Sequence, residues 1–119
     1  MDLYESTIQR QIIDYLKMLL ARGAVAWFCR VNGGMAEYGD QQVWNYTLSI
    51  PGFKDAHDGY SDLHGMLSDG RYFAIEVKRN SKKPTKPQQR FLDAVRHGNG
   101  IAVVAYRFED VQNALRIDL

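Results

Sequence analysis

An internal disulfide is out of reach for this chain, because 119 residues contain a single cysteine, Cys29. Its neighbours Ala26-Trp27-Phe28 mark it as a buried, inert thiol rather than a reactive one. A reducing cytoplasm fits that usage. No apolar run approaches the ~20 residues that a membrane-crossing helix needs, so no membrane association is expected. The opening Met1-Asp2-Leu3-Tyr4-Glu5 lacks the basic and then apolar layout of a secretory leader. Repeats and low-complexity tracts are missing as well. With 45% hydrophobic and 24% charged residues, the composition is that of one ordinary globular domain spanning residues 1–119.

Charge of either sign is also scarce in net terms, at +1, which is not the mark of a nucleic-acid binder. Its distribution is another matter. Lys78, Arg79, Lys82, Lys83, Lys86 and Arg90 lie within one stretch that contains no acid. The rest of the chain is correspondingly acidic. A positive stripe on an acidic body is what phosphate binding requires, although such runs also occur as plainly solvated loops.

The stripe begins at the most informative feature of the chain. Ser61-Asp62 is followed fourteen residues later by Glu76, in Ile75-Glu76-Val77-Lys78. Each lies on a short apolar segment that reads as a strand, with the turn Ser68-Asp69-Gly70-Arg71 between them. Residues two apart on a strand share a face, so Glu76 and Lys78 project together while Ile75 and Val77 enter a core. Two carboxylates and an ammonium gathered in this way can hold a hard divalent cation and act on a phosphodiester. Glu-x-Lys alone would equally suit a surface ion pair of little value.

Local signals predict the remaining elements. Ile8, Ile12, Leu16, Leu19 and Leu20 recur at helical spacing over residues 4–21. Glu5 falls in line with that apolar stripe, where it is either an inward acid in need of a partner or a first-turn complement to the helix dipole. A strand is expected over 25–31 and an extra one over 43–50, with Trp44, Tyr46, Leu48 and Ile50 on one face. That face either packs on the first strand or forms a contact between subunits. Further strands are expected over 62–67, 72–78 and 101–106, and a short final helix over 109–116. Thr85-Lys86-Pro87-Gln88 is a capping box opening the second helix. The result is an α/β domain with a mixed sheet flanked by helices. His64 shares the face of Asp62, and His57 sits in the preceding loop; a structural or substrate-facing role suits both better than catalysis.

This order, with Asp62 and the Glu76-Lys78 pair on successive core strands, resembles the PD-(D/E)xK nuclease superfamily and its restriction-endonuclease-like αβββαβ core. The segments Glu5-Ser6-x-Ile8-Gln9, Arg30-Val31-Asn32, Gly59-x-Ser61-Asp62-Leu63-x-Gly65, Ala74-Ile75-Glu76-Val77-Lys78-Arg79, Pro84-Thr85-x-x-Gln88-x-x-Phe91-Leu92 and Gly100-x-Ala102-Val103-Val104 are similar, in that order, to the VRR-NUC domain, the virus-type replication-repair nuclease. The resemblance implies a Mg²⁺- or Mn²⁺-dependent DNA endonuclease. It implies Asp62, Glu76, the Val77 carbonyl and Glu5 around the metal, Lys78 orienting or activating water, and Gln88 lining the site. As one side chain, Gln88 is expected to serve the cap or the site, but not both at once. Arg30, Asn32, Arg79, Lys82, Lys83, Lys86 and Arg90 are the expected DNA contacts. A homodimer acting on branched or junction DNA, in a bacterial cytoplasm or a phage-infected cell, is also implied. Two departures stand out: Ser61 replaces the familiar proline, and residues 33–58 form an insert longer than the family core requires. The rival expectation is a nucleic-acid-binding module that uses the basic stripe without cutting.

Overall fold

The computed structural model of this chain describes residues 4–32, 35–38, 41–44 and 59–117, with backbone alone at 32, 35–38 and 41–44. Helix α1 (Glu5–Ala21) buries Ile8, Ile12, Leu16 and Leu19, the stripe its periodicity predicts. Strand β1 (Val25–Asn32) follows directly. Next come β2 (Met35–Tyr38), β3 (Gln41–Trp44), β4 (Leu63–Leu67) and β5 (Tyr72–Val77). Helix α2 (Lys86–His97), strand β6 (Ile101–Ala105) and helix α3 (Phe108–Leu115) complete the chain.

The six strands form one mixed sheet in the order β3-β2-β1-β4-β5-β6. All neighbours are antiparallel except β5 and β6, which run parallel and are joined through α2. Parallel strands need such a crossover. The hairpin β2–β3 differs from expectation. The strand expected at 43–50 starts at Gln41, and β2 was not foreseen; residues 45–50, and with them Tyr46, Leu48 and Ile50, lie outside the described residues.

Helices α1 and α3 cover one face of the sheet, where Leu63, Leu67, Phe73, Ile75 and Val77 meet the α1 stripe together with Val111 and Leu115. Helix α2 covers the other, setting Phe91 and Leu92 against Ala74, Tyr72, Ala102 and Val104. Strand β5 is thus buried on both sides from Phe73 to Val77, as a central strand between helical layers should be. Close approach is set by two glycines. A Cβ at Gly65 would lie 2.4 Å from the Trp27 carbonyl oxygen of β1. One at Gly59 would lie 2.2 Å from the Pro87 carbonyl oxygen, so glycine there lets the first turn of α2 sit down beside the start of β4.

Candidate active site

Asp62 stands immediately before β4, and three contacts fix it. Its carbonyl accepts from Val31 N–H at 2.8 Å, its Oδ2 accepts from Val77 N–H at 2.8 Å, and the buried neighbour Ser61 donates to the Leu63 carbonyl at 3.0 Å. Leu63 pairs with Ile75, so continuing the antiparallel register by one residue sets Asp62 across from Glu76. Ser61 is 1% exposed, and its hydroxyl makes a bond that a proline could not.

Glu76 is a carboxylate on a strand covered from both sides, 3% exposed. Desolvation is the chief reason that its pKa rises from 4.5 to about 9, followed by the charge of Asp62 and the hydrogen bond the two share. Asp62 is raised too, again mainly by burial; the Val77 N–H works against the rise, and the charge of Glu5 adds to it. Lys78 opposes both shifts, which places its ammonium within electrostatic reach of both acids. At neutral pH this pair retains a proton.

Glu5 belongs to this group by another route. Its Oε1 accepts from Arg79 N–H at 3.2 Å, tying the first turn of α1 to the chain just beyond β5. It has found a partner, while remaining a first-turn acid. Tyr4 lies under the Arg79 guanidinium, 5.0 Å from charge centre to ring, and is 67% exposed. Sequence reasoning passed over Tyr4, and its position next to Glu5 was the only signal.

Gln88 corrects the expectation of exclusive roles. Its Oε1 accepts from Thr85 N–H at 2.9 Å while its Nε2 donates to Glu76 Oε1 at 3.1 Å. A carboxamide has an acceptor end and a donor end, and α2 is seated so that each meets its partner. The same residue therefore caps the helix and braces the buried acid.

The remaining expected residues are spread around this centre. Val77 meets Asp62 through its N–H, whereas the resemblance assigns its carbonyl. Lys82 and Lys83 are exposed on the loop before α2, and Lys86 and Arg90 are exposed on the helix itself. The Lys82 carbonyl accepts from Tyr106 OH at 2.8 Å, which anchors the loop to the end of β6. Arg30 is in β1, opposite Glu37 in the register, and Asn32 ends that strand opposite Met35. His57 lies outside the described residues.

His64 proves to be a packed residue. Its ring meets Cys29 Sγ at 2.7 Å and the Tyr60 and Tyr72 hydroxyls at 3.1 and 3.0 Å, with Trp27 edge-on at 5.5 Å. Burial lowers its pKa to about 4, so it stays neutral and buttresses the strand that carries Asp62. Cys29 is 2% exposed, as its apolar surroundings suggested. A cavity of about 660 Å³ between α1 and α3 is lined by none of these side chains.

Among the described residues no group of three or more His, Cys, Asp or Glu side chains stands close enough to cage a metal ion. The Asp62–Glu76 pair still fits a hard divalent cation. Its donors are all oxygen, and Mg²⁺ is commonly held by one or two carboxylates, with waters and substrate phosphates completing the shell. The chain matches no family model, no curated protein and no solved structure.

Proposed function

We propose that this chain is a Mg²⁺- or Mn²⁺-dependent DNA endonuclease with a restriction-endonuclease-like core. Setting aside the β2–β3 hairpin and the terminal α3, the element order is αβββαβ, which supports that fold reading. The observation that carries the function is Glu76. Burying a carboxylate against a second one is costly to the fold even with the Gln88 amide bracing it, and a cation binding there would relieve the cost.

In this reading Asp62 and Glu76, both deprotonated, would hold the cation, with Glu5 at the edge of the site. A cation held there would supply positive charge against the scissile phosphate. Lys78 orients the attacking water and neutralises charge growing on the phosphate oxygens. Gln88 keeps the Glu76 carboxylate turned toward Asp62. The exposed lysines of the loop and α2 hold flanking phosphates. We extend the proposal to branched or junction DNA and a homodimer, whose two-fold axis would match the symmetry of such a substrate.

Supercoiled plasmid incubated with Mn²⁺ tests this, with EDTA and Glu76→Gln as controls. Nicking or linearisation by the native chain alone supports it. Retention of plasmid without cleavage favours the binding-module reading instead. Light scattering at micromolar concentration reads the oligomeric state.

A further inference from the structure

On the side of the site away from α2, a cavity of about 410 Å³ opens between the first half of α1 and β1. Ser6, Thr7, Gln9, Arg10, Ile13 and Arg30 line it. Among the described residues the wall thus contains two guanidinium groups and no carboxylate. A β-bulge between Val25 and Trp27 puts Cys29 on the α2 face beside His64, which turns Arg30 toward α1. The Arg30 Nε is buried and has no hydrogen-bond partner among the described residues. A buried guanidinium donor left without an acceptor is uncommon, because burying it strips water from a permanent charge. Here it borders an open, polar space that a second arginine also faces.

The location ties this space to the carboxylates. Val31, next to Arg30, donates to the Asp62 carbonyl, and Ser6 follows Glu5, whose carboxylate accepts from Arg79. Two wall residues, Arg30 and Ser6, are thus the immediate sequence neighbours of residues bonded to Asp62 and to the chain just beyond β5.

We propose that this cavity is a phosphate-binding subsite in which Arg30 and Arg10 hold a backbone phosphate of the nucleic-acid strand beside the one being cut. The proposal rests on the nuclease reading for its substrate. Its chemistry, an oxyanion between two guanidinium forks with Ser6 and Thr7 hydroxyls at hand, stands on the cavity itself. The subsite would anchor the strand rather than take part in bond cleavage, so Arg30 and Arg10 are positioning residues.

The Arg30 Nε–H gives a direct readout by proton–nitrogen NMR. A short single-stranded oligonucleotide, titrated in EDTA so that nothing is cut, should move that resonance downfield. Inorganic phosphate is the second arm. If inorganic phosphate moves the resonance and the oligonucleotide does not, the site takes a free anion and the strand assignment is overturned. If neither moves it, the subsite is overturned. In cleavage assays Arg10→Gln and Arg30→Met should each raise KM about tenfold with kcat within about twofold, the worth of a charge-assisted contact. Each should also flatten the salt dependence of oligonucleotide affinity by about one unit of slope. Arg10 is exposed, so its variant keeps the fold even where Arg30→Met does not. An unchanged KM and slope in Arg10→Gln would overturn the pairing of the two arginines. Should the native chain fail to cut DNA at all, the nuclease reading falls, and the resonance shift in EDTA still decides the subsite.

Discussion

The two faces of the sheet are built from alternate residues of the same strands, yet they have different contents. Beneath α1 and α3 lies the larger apolar cluster, to which β4 and β5 alone contribute Leu63, Leu67, Phe73, Ile75 and Val77. Beneath α2 the buried apolar set is small, Ala74, Phe91 and Leu92, and it shares its face with Glu76 and the ring of His64. One face supplies stability by removing hydrocarbon from water, and the other spends some of it to hold ionisable groups out of water. Such a division allows a domain of this size to carry a buried polar centre and still fold.

Breaking the apolar face should have the largest effect. Phe73 is fully buried between the layers, so Phe73→Ala should cost ~3–5 kcal/mol, a large part of the stability of a small domain. Denaturant unfolding checks this. A loss below ~1 kcal/mol would mean that α1 and α3 do not depend on the sheet as described.

The opposite sign is expected beneath α2. Glu76 holds its proton to about pH 9 in the fold but only to about 4.5 in the unfolded chain. Its contribution is therefore fully present below pH 4.5 and is lost as pH rises toward 9. His64, lowered to about 4, works the other way, costing stability as pH falls below 6.5. The clean window for Glu76 is thus pH 7 to 9. There the metal-free chain should lose stability with rising pH, while Glu76→Gln should be flat and more stable by at least ~1 kcal/mol at the upper end. If the carboxylates take a divalent cation, Mg²⁺ should raise Tm more at pH 8.5 than at pH 6.5, and Glu76→Gln should abolish both that gain and cleavage. Parallel pH curves for the two proteins would remove Glu76 from its assigned role.

Lys78 sharpens the contrast from the edge of the polar face. Its ammonium favours the charged forms of both acids. Lys78→Met should leave the fold within ~1 kcal/mol of native and raise the pH at which the acids ionise. Cleavage, if the endonuclease reading holds, should fall at least a hundredfold. Lys78→Arg should not restore it, because a planar guanidinium does not replace a compact ammonium beside two carboxylates. Full turnover in either variant would leave Lys78 as a mere surface partner.

The apolar face was the easier one to read. Ile8, Ile12, Leu16 and Leu19 announce their helix by spacing alone, and alternation along β5 separates Ile75 and Val77 from Glu76 and Lys78. The polar face depends on pairings that spacing does not carry. His64 meets Cys29 only because β1 and β4 pair in one register, and Arg30 reaches the α1 side only because of a bulge. Strand β2, Met35-Ala36-Glu37-Tyr38, lacks the β-branched residues that mark a strand, and it is formed by its neighbours on both sides. Asp62, Glu76 and Lys78 could be named as a group from the sequence. The doubled role of Gln88 could not, since it follows from where the first turn of α2 is set down.

That doubled role yields the smallest and most discriminating test, because Gln88 belongs at once to the helix that covers the polar face and to the acid beneath it. Thr85→Ala removes the hydroxyl that accepts Gln88 N–H at 3.3 Å but leaves the Gln88 side chain in place. The loss should be ~1 kcal/mol of stability, an ordinary cap, with the pH dependence from Glu76 unchanged. Gln88→Glu does the converse. A glutamate can still accept from Thr85 N–H, so the reciprocal cap survives, but it cannot donate to Glu76 unless it is protonated. It sets a third acid against the pair, so the Glu76 proton should be held more tightly and the loss of stability at pH 8.5 should deepen. Thermal unfolding of both variants at pH 6.5 and 8.5 separates the two ends of the amide. If Thr85→Ala alters the pH dependence as much as Gln88→Glu does, the cap and the brace are one structural unit, and the division between a stabilising face and a polar one does not extend into α2.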